Sequence, residues 1–224
     1  NDVLIIARNS GKLMIGIGLL CLVPIIVDLL FLEFNIIGYL IPGLISIGLG
    51  LICLKALDKY KVNKMRLKHG MIISALSWLW ASLICGLALY LITGISPVDS
   101  VFESMSALTG SGIAIYSDVE ALPYGILFFR AFQQWIGGLG IIVLILAFLA
   151  QPGTSSFKLY NSEAREDQIK PSTTATLKET LKIYVFYTCL GIALYTLAGM
   201  PFFDSICNTF CIISTGGMSV KNAN

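Results

Sequence analysis

D-S-V-F-E-S-M-S-A-L-T-G-S-G-I (Asp99–Ile113) is the stretch that decides the fold of this 224-residue chain. A short amphipathic segment comes first, a glycine-rich bend follows, and a full hydrophobic run begins near Leu122. The short segment cannot cross a bilayer, because about 20 apolar residues are needed to span a hydrocarbon core of about 30 Å. Non-helical backbone is tolerated at membrane depth only where protein or a watery cavity surrounds it. The sequence therefore predicts a re-entrant pore loop, in which carbonyl oxygens can replace the hydration shell of a cation.

The composition is that of a membrane protein. Hydrophobic residues make up 56% of the chain and charged residues 12%, with a mean hydropathy of +0.84. Soluble domains are nearer to about a quarter charged. The net charge of +2 is too small to indicate a nucleic-acid partner. We expect an all-α protein of the cell membrane, with several spans in the lipid bilayer and no cofactor.

The hydrophobic runs predict five membrane spans and two short segments that dip into the membrane. The spans are about Lys12–Leu32, Asn35–Leu54, Met71–Thr93, Leu122–Ala150 and Ile183–Gly199, and the dips are Ser96–Ile113 and Pro201–Met218. We expect three parts: a leading two-helix hairpin in 1–57, a first pore repeat in 58–150, and a cytoplasmic link with an incomplete second pore repeat in 151–224.

Charges in the links predict the orientation. Most Lys and Arg residues lie in two links, Lys55–Gly70 and Gln151–Lys182, and basic links stay on the cytoplasmic side. The N-terminus is then cytoplasmic as well. Acidic residues lie toward the outside, around the mouths of the dips: Asp99, Glu103, Asp118, Glu120 and Asp204. An acidic vestibule suits a cation path, although solvated loop charges are the simpler interpretation of Asp118 and Glu120.

The two dips are related by an internal repeat. An offset of 105 residues aligns them without a gap and makes eight identical pairs coincide. The pairs are Gly86 with Gly191, Ala88 with Ala193, Leu89 with Leu194, Tyr90 with Tyr195, Gly94 with Gly199, Asp99 with Asp204, Ser100 with Ser205 and Gly112 with Gly217. The repeated unit is helix, pore helix, filter, helix. Both copies enter from the same side, which predicts parallel repeats about an axis normal to the membrane.

Three motifs resemble the Trk/Ktr/HKT superfamily of potassium transporters. They are F-E-S-M-S-A-L-T-G-S-G (Phe102–Gly112), R-A-F-Q-Q-W-I-G-G-L-G-I-I-V (Arg130–Val143) and I-S-T-G-G-M-S (Ile213–Ser219). The resemblance implies a pore-loop transporter for potassium uptake, with four such units in one chain, a homodimer, and a cytoplasmic nucleotide-binding regulatory partner. This chain holds one complete unit and most of a second, so we expect it to be about half of such a transporter.

The resemblance places the ion path at two filter loops. The residues that it implies, acting mainly through backbone carbonyls, are Thr109, Gly110, Ser111, Gly112, Ser214, Thr215, Gly216 and Gly217. Within the superfamily, glycine at the end of the filter goes with potassium, and serine in the first loop goes with sodium. Gly112 and Gly217 therefore imply K⁺ as the transported ion. We expect the two filters to face each other across a common axis, at the same depth.

Arg130 places a charge inside the fourth predicted span, where a charge is costly unless it is paired. We expect either an ion pair with Glu103, at a compatible depth, or a side chain that extends to the outer interface. The glycines of W-I-G-G-L-G (Trp135–Gly140) predict close packing against the third span or the pore helix.

Two other functions remain open at this point. Half a pore could be a non-conducting membrane assembly subunit. An intramembrane serine hydrolase could use Ser111 as its nucleophile, but it needs a base within hydrogen-bond reach. His69, the only histidine, lies in a basic link predicted on the opposite face and is expected to be solvated. We therefore favour a transporter over an enzyme.

The six cysteines are expected to pack rather than react. Cys21, Cys53, Cys85 and Cys189 lie in apolar runs, where a thiol behaves as a small hydrophobe. Cys207 and Cys211 are four residues apart on one face of a predicted helix. Core packing is favoured for this pair over a metal site, because no histidine or further cysteine accompanies it.

Overall fold

The structure is a computed structural model that describes residues 2–59, 67–149 and 173–222, without the side chains of 67, 141–149 and 173–177. Every regular element in these ranges is an α-helix, as the sequence predicts. The helices are α1 (Asp2–Leu22), α2 (Pro24–Leu30), α3 (Ile36–Leu57), α4 (Leu67–Thr93), α5 (Pro97–Thr109), α6 (Tyr124–Leu149), α7 (Thr173–Leu197) and α8 (Phe202–Ile213). Much of the two predicted basic links lies outside the described residues.

The leading hairpin packs α1 against α3 through small residues. A Cβ atom on Gly18 would lie only 2.6 Å from the Gly43 carbonyl oxygen, so the two backbones approach as closely as membrane helices with small residues allow. The Trp80 indole on α4 donates a hydrogen bond to Ser46 Oγ on α3 at 2.8 Å. The hairpin is therefore joined to the first pore repeat.

The first span begins earlier than predicted. Helix α1 starts at Asp2 rather than near Lys12. Arg8, the charge that interrupts the apolar run, lies within the helix, and its Nη2 is 3.8 Å from Asp58 Oδ1 just after α3. A span predicted from hydropathy stops at such a charge, whereas helix α1 extends past Arg8 to Asp2.

The helices repeat at the predicted offset. The two short helices, α5 and α8, begin 105 residues apart, at Pro97 and Phe202. The long helices that precede them, α4 and α7, end 104 residues apart, at Thr93 and Leu197. Each long helix leads into a short one at the same place in the repeat.

The fifth span is also longer than predicted. Helix α7 begins at Thr173 rather than Ile183. Lys182 and Glu179, which lie in a link predicted from the sequence, form an exposed ion pair of 2.8 Å within the helix. Such i, i+3 pairs stabilise a helix in water, so the helix extends beyond its apolar part.

Four helical stretches of the described ranges are long and apolar enough to cross a membrane: Asp2–Leu30, Ile36–Leu57, Lys68–Thr93 and Lys178–Leu197. Helix α6 corresponds to the remaining predicted span and has 26 residues, which is about 39 Å at 1.5 Å per residue. Helices α5 and α8 have 13 and 12 residues and are too short to cross. The chain is a multi-pass membrane protein with two half-length helices.

The prediction that His69 is a solvated loop residue is wrong. His69 lies in the first turn of α4 and is 1% exposed. Its Nε2 atom is 3.1 Å from Asp2 Oδ1 at the start of α1. Both helices begin before their hydrophobic runs, which brings His69 into the contact between them. From His69 to Gly86, where α4 packs against Val101 of α5, the helix rises about 26 Å, so His69 is far from this contact.

Candidate functional site

Both predicted filters start from the same kind of helix ending. After α5, Gly110 has φ +71°, and the Ser111 N–H donates to the carbonyl five residues before it at 3.1 Å. After α8, Thr215 has φ +55°, and the Gly216 N–H donates to the carbonyl five residues before it at 2.7 Å. A left-handed residue followed by this hydrogen bond satisfies the last carbonyls of a helix. The two loops share one conformation although one uses glycine and the other threonine.

A second left-handed position closes each filter, and the two positions contact each other. Gly112 has φ +71° and Gly217 has φ +77°. A Cβ atom on Gly112 would lie 2.3 Å from the Gly216 carbonyl oxygen and 3.3 Å from Gly217 Cα. Equivalent residues in contact place the filters at one depth, as predicted. They adjoin side by side, however, instead of facing each other across an axis.

The first filter is held by its own pore helix. Ser106 Oγ donates to the Ile113 carbonyl at 2.6 Å and lies 2.9 Å from Ser111 Oγ. Glu103 Oε2 accepts the Ile115 N–H at 2.6 Å. The extended segment that returns from the first filter, residues 113–116, is called its return strand, although it pairs in no β-sheet among the described residues. It is fixed by these hydrogen bonds to α5, the helix that precedes the filter.

The structure brings Arg130 and Glu103 together behind this strand. Arg130 Nε donates to Glu103 Oε1 at 2.7 Å, and the two side chains are 2% and 0% exposed. The guanidinium also lies 5.4 Å from the centre of the Tyr116 ring, and Nη1 donates to the Ser219 carbonyl at 3.4 Å. Of the two alternatives for Arg130, the structure has the buried pair. The pair contacts the return strands of both filters.

Gln134, one turn after Arg130 on α6, contacts the second filter. Its Nε2 donates to the Gly216 carbonyl at 2.7 Å, and its Oε1 accepts the Met218 N–H at 3.3 Å. The side chain is fully buried. The sequence places Gln134 within the Arg130–Val143 motif but indicates no role for it. The available signal was a polar side chain in the middle of an apolar membrane helix, which is rare without a function or a partner.

Glycines of α6 allow it to pack closely, as predicted. A Cβ atom on Gly137 would lie 1.9 Å from the Leu108 carbonyl oxygen on α5, and one on Gly140 would lie 3.4 Å from the Trp78 ring on α4. Gly138 faces the second filter, where a Cβ atom on it would lie 2.9 Å from Ser214 Cβ. The helix therefore contacts the third span, the first pore helix and the second filter.

Asp118 and Glu120 are exposed loop residues, the interpretation favoured from the sequence, and both bind Asn222. Asp118 Oδ1 accepts from Asn222 Nδ2 at 2.7 Å, and Glu120 Oε1 accepts from the Asn222 N–H at 3.4 Å. These contacts join the link after the first filter to the segment after the second. They add a second connection between the two units.

The described residues do not assemble the alternative sites. No group of three or more His, Cys, Asp or Glu among them could hold a metal ion. Cys207 and Cys211 are buried thiols in a hydrophobic cluster with residues of α6. The Ser111 hydroxyl lies against Ser106, and His69 is paired near the start of α4. The structure therefore does not bring the nucleophile and base of a serine hydrolase together.

Comparison with known proteins identifies the family. Residues 44–224 match the family model TrkH, described as a cation transport protein. The chain belongs to the TrkH family of cation transport proteins. It is 46% identical over 207 residues to an uncharacterised cation transporter of Methanocaldococcus jannaschii, covering 92% of this chain and 43% of that protein. It is 32% identical over 226 residues to the Trk system potassium uptake protein TrkH of Halomonas elongata, covering 98% of this chain and 46% of the relative.

A solved TrkH-family structure shares the fold. The crystal structure of the potassium transporter TrkH from Vibrio parahaemolyticus matches with a TM-score of 0.82 at 29% identity, over 97% of this chain and 44% of that one. The fold is thus an all-α membrane pore-loop fold with repeated helix, pore helix, filter and helix units. This chain spans less than half the length of the relatives that it matches.

Proposed function

We propose that this chain forms part of the ion path of a potassium uptake protein in the cell membrane. The observation that carries the proposal is the contact at one depth between two glycine-closed filters with the same backbone conformation. An exposed edge on both filters supports it, formed by Thr109, Ser111, Thr215 and Gly217. The relative in Halomonas elongata is named a potassium uptake protein. Because the chain spans less than half of such relatives, conduction by the whole protein is inferred from this part.

In the proposed mechanism, filter carbonyl oxygens replace water around the ion. The filter residues are Thr109, Gly110, Ser111, Gly112, Ser214, Thr215, Gly216 and Gly217. One charge that crosses 100 mV gains about 2.3 kcal/mol, so a negative interior drives inward flow and the mechanism uses no cofactor. Glycine at both closing positions favours potassium over sodium, by the superfamily pattern.

The experiment is Gly112→Ser in the full-length transporter, with uptake measured in potassium and in sodium. The left-handed φ and the 2.3 Å approach of the Gly216 oxygen leave no room for a side chain, so the carbonyl positions must change. We expect the ratio of potassium to sodium uptake to fall. Gly94→Ser is the matched control, because Gly94 also has a positive φ of +70° but nothing lies within 4 Å of its Cβ position.

Gly94→Ser should keep the uptake ratio of the wild type. Unchanged potassium preference in Gly112→Ser would remove Gly112 from the filter and contradict the proposed ion path. A fall of the same size in both variants would instead assign the effect to backbone strain.

The arrangement of the parts belongs to the same proposal. We propose a leading hairpin in 1–57, a first pore repeat in 58–150, and a link with part of a second pore repeat in 151–224, with the N-terminus in the cytoplasm. Single cysteines at Lys59 and Asp118 would lie on opposite sides of the membrane, inside and outside respectively. Labelling of Lys59→Cys by an impermeant thiol reagent added outside would contradict this orientation.

The superfamily resemblance supports two proposed partners of the full-length protein. These are a second copy of the chain and a cytoplasmic nucleotide-binding regulatory subunit. The mass of the complex purified in mild detergent tests both. A monomer that carries no regulatory subunit would contradict them.

A further inference from the structure

The second filter is held by the first pore unit. Gln134 lies on α6, the helix that closes the first unit, yet both of its hydrogen bonds go to the second filter. It donates to the Gly216 carbonyl and accepts the Met218 N–H, so it spans the filter on both sides of Gly217. A fully buried amide with both ends occupied fixes the backbone that it binds, because either group would be left buried without a hydrogen-bond partner if the backbone moved away.

The repeat explains why this support comes from outside the unit. At the offset of 105, Ser106 of the first unit corresponds to Cys211, and Glu103 corresponds to Asn208. Ser106 and Glu103 hold the first return strand. A thiol is a weak donor, and Asn208 Nδ2 instead lies 3.4 Å from Met200 Sδ, at the start of its own helix. The second filter thus has neither internal support of the first among the described contacts, and it is held instead by Gln134, which binds the Gly216 carbonyl and the Met218 N–H.

The Gly216 carbonyl oxygen is where the two filters meet. It accepts from Gln134 Nε2 at 2.7 Å, and it occupies the place that a side chain on Gly112 would need, 2.3 Å from the Cβ position. The direction of this one carbonyl therefore determines how closely the two filters approach. In the first filter the equivalent residue is Ser111, and its carbonyl accepts no side-chain hydrogen bond among the described contacts.

We propose that Gln134 is a positioning residue for ion selection. It directs the Gly216 carbonyl against Gly112 and so sets the spacing of the carbonyl oxygens contributed by both filters. The inference rests on the proposed function, since it names the residue that orients the filter rather than the ion ligands themselves. It also makes the requirement for glycine at position 112 a property of the neighbouring unit and not only of the local φ angle.

Gln134→Met in the full-length transporter tests the proposal, with Gln133→Met as its matched control. Methionine keeps the length of glutamine but removes the donor and the acceptor. Gln133 is the adjacent residue of the same helix and is also buried, at 3% exposure, but its Oε1 accepts from Ser104 on α5 at 2.6 Å, so its described hydrogen bond goes to the pore helix and not to a filter. The readout is the ratio of rubidium to sodium uptake, with rubidium as the tracer for potassium, alongside the amount of protein in the membrane.

We expect Gln134→Met to lower the uptake ratio about fivefold, the change that corresponds to one ordinary hydrogen bond. Gln133→Met should reduce only the amount of protein or the total rate, leaving the ratio that of the wild type. Gln134→Asn, which keeps the amide but is one methylene too short to reach Gly216, should lower the ratio as well. If the Gln134→Met protein does not reach the membrane, the Gln134→Asn variant is used for the test instead.

An unchanged ratio in the Gln134 variants would overturn the inference while leaving the proposed function intact. An equal fall in Gln133→Met would also overturn it, because the effect would then come from damage to α6 in general. A wild-type protein with no preference for rubidium over sodium would be a failure of the proposed function itself, and the inference would fall with it.

Discussion

At the scale of single residues, the buried Arg130–Glu103 pair joins α6 to the first pore helix and to the segment that follows the first filter. Both oxygens of Glu103 are occupied, Oε1 by Arg130 and Oε2 by the Ile115 N–H. The carboxylate is 0% exposed and lies behind the return strand, away from the exposed filter edge. Two opposite charges buried in this way cost less than either would alone, and losing one partner leaves the other uncompensated.

Arg130→Met should therefore cost about 3–5 kcal/mol of stability, because it leaves a buried carboxylate without its counter-charge. Adding Glu103→Gln should recover part of that loss, since a neutral amide still accepts the Ile115 N–H through its oxygen. The measurement is thermal unfolding of the purified full-length protein in detergent, as a double-mutant cycle. Losses that simply add in the double variant would contradict a direct pair.

The sequence reveals some of these residues better than others. Gly112 and Gly217 can be found because the repeat aligns them and because glycine has a physical reason to occupy a left-handed position. Thr215 gives no such signal, because a β-branched residue rarely adopts a left-handed φ, yet Thr215 has φ +55° at the position equivalent to Gly110. The role of Gln134 is still less visible, because its contact joins residues 82 positions apart. A single sequence does not show which of two adjacent glutamines faces the neighbouring unit.

At the scale of elements, α6 is positioned by backbone contact with α5. The Gly137 Cβ position lies 1.9 Å from the Leu108 carbonyl oxygen, and a backbone atom cannot rotate away as a side chain can. Leu108 is one residue before the end of α5 and the start of the filter. A change in the spacing of these two helices is therefore transmitted directly to the first filter.

Gly137→Ala should destabilise the protein toward the upper end of the usual overpacking cost of about 1–3 kcal/mol, and potassium uptake should fall with it. Gly140→Ala on the same helix is the control. Its methyl group would meet the Trp78 ring at 3.4 Å, and alanine favours a helix over glycine by about 1 kcal/mol, so stability should be unchanged or higher. Thermal unfolding and uptake of the two variants decide the matter. Equal stability would show that α5 moves freely to admit the methyl group.

Hydropathy located the helices but not their starts. Helices α1 and α7 begin ten residues before the predicted spans, at Asp2 and Thr173. The residues between these starts and the apolar runs include charges, such as Arg8 in α1 and Glu179 and Lys182 in α7. A bilayer excludes such charges, but a helix accepts them when they pair with each other or with a neighbour, as these do. Hydropathy thus predicts the part of a helix inside the membrane, and hydrogen bonding and pairing determine where the helix itself begins. The short helices were predicted well, because Ser96 and Pro201 mark their starts in the sequence.

At the scale of the whole molecule, the two pore units are unequally covered. The most hydrophobic part of α4 is 44% buried, whereas that of its equivalent in the second unit, α7, is 11% buried. The first unit is packed on one side by the leading hairpin and on the other by the second unit. Relatives of this chain are more than twice as long, so they have further chain available to cover α7. The exposed edge of the two filters, like the surface of α7, is not covered by other described residues of this chain.

Residues 1–224 expressed alone should therefore not restore potassium uptake to cells that lack their own uptake systems. The superfamily resemblance implies a ring of four filter segments, and two adjoining segments supply half of the oxygen ligands that must replace the hydration shell. The other side of the ion would be exposed to water or lipid. The free-energy cost of removing its hydration shell would then not be compensated by protein oxygens. The comparison is growth at low potassium with this chain, with a full-length relative as the positive control, and with immunodetection to show that the chain reaches the membrane. Robust growth with residues 1–224 alone would mean that copies of this chain associate to complete the ring, and the four-unit arrangement within one chain would not be required.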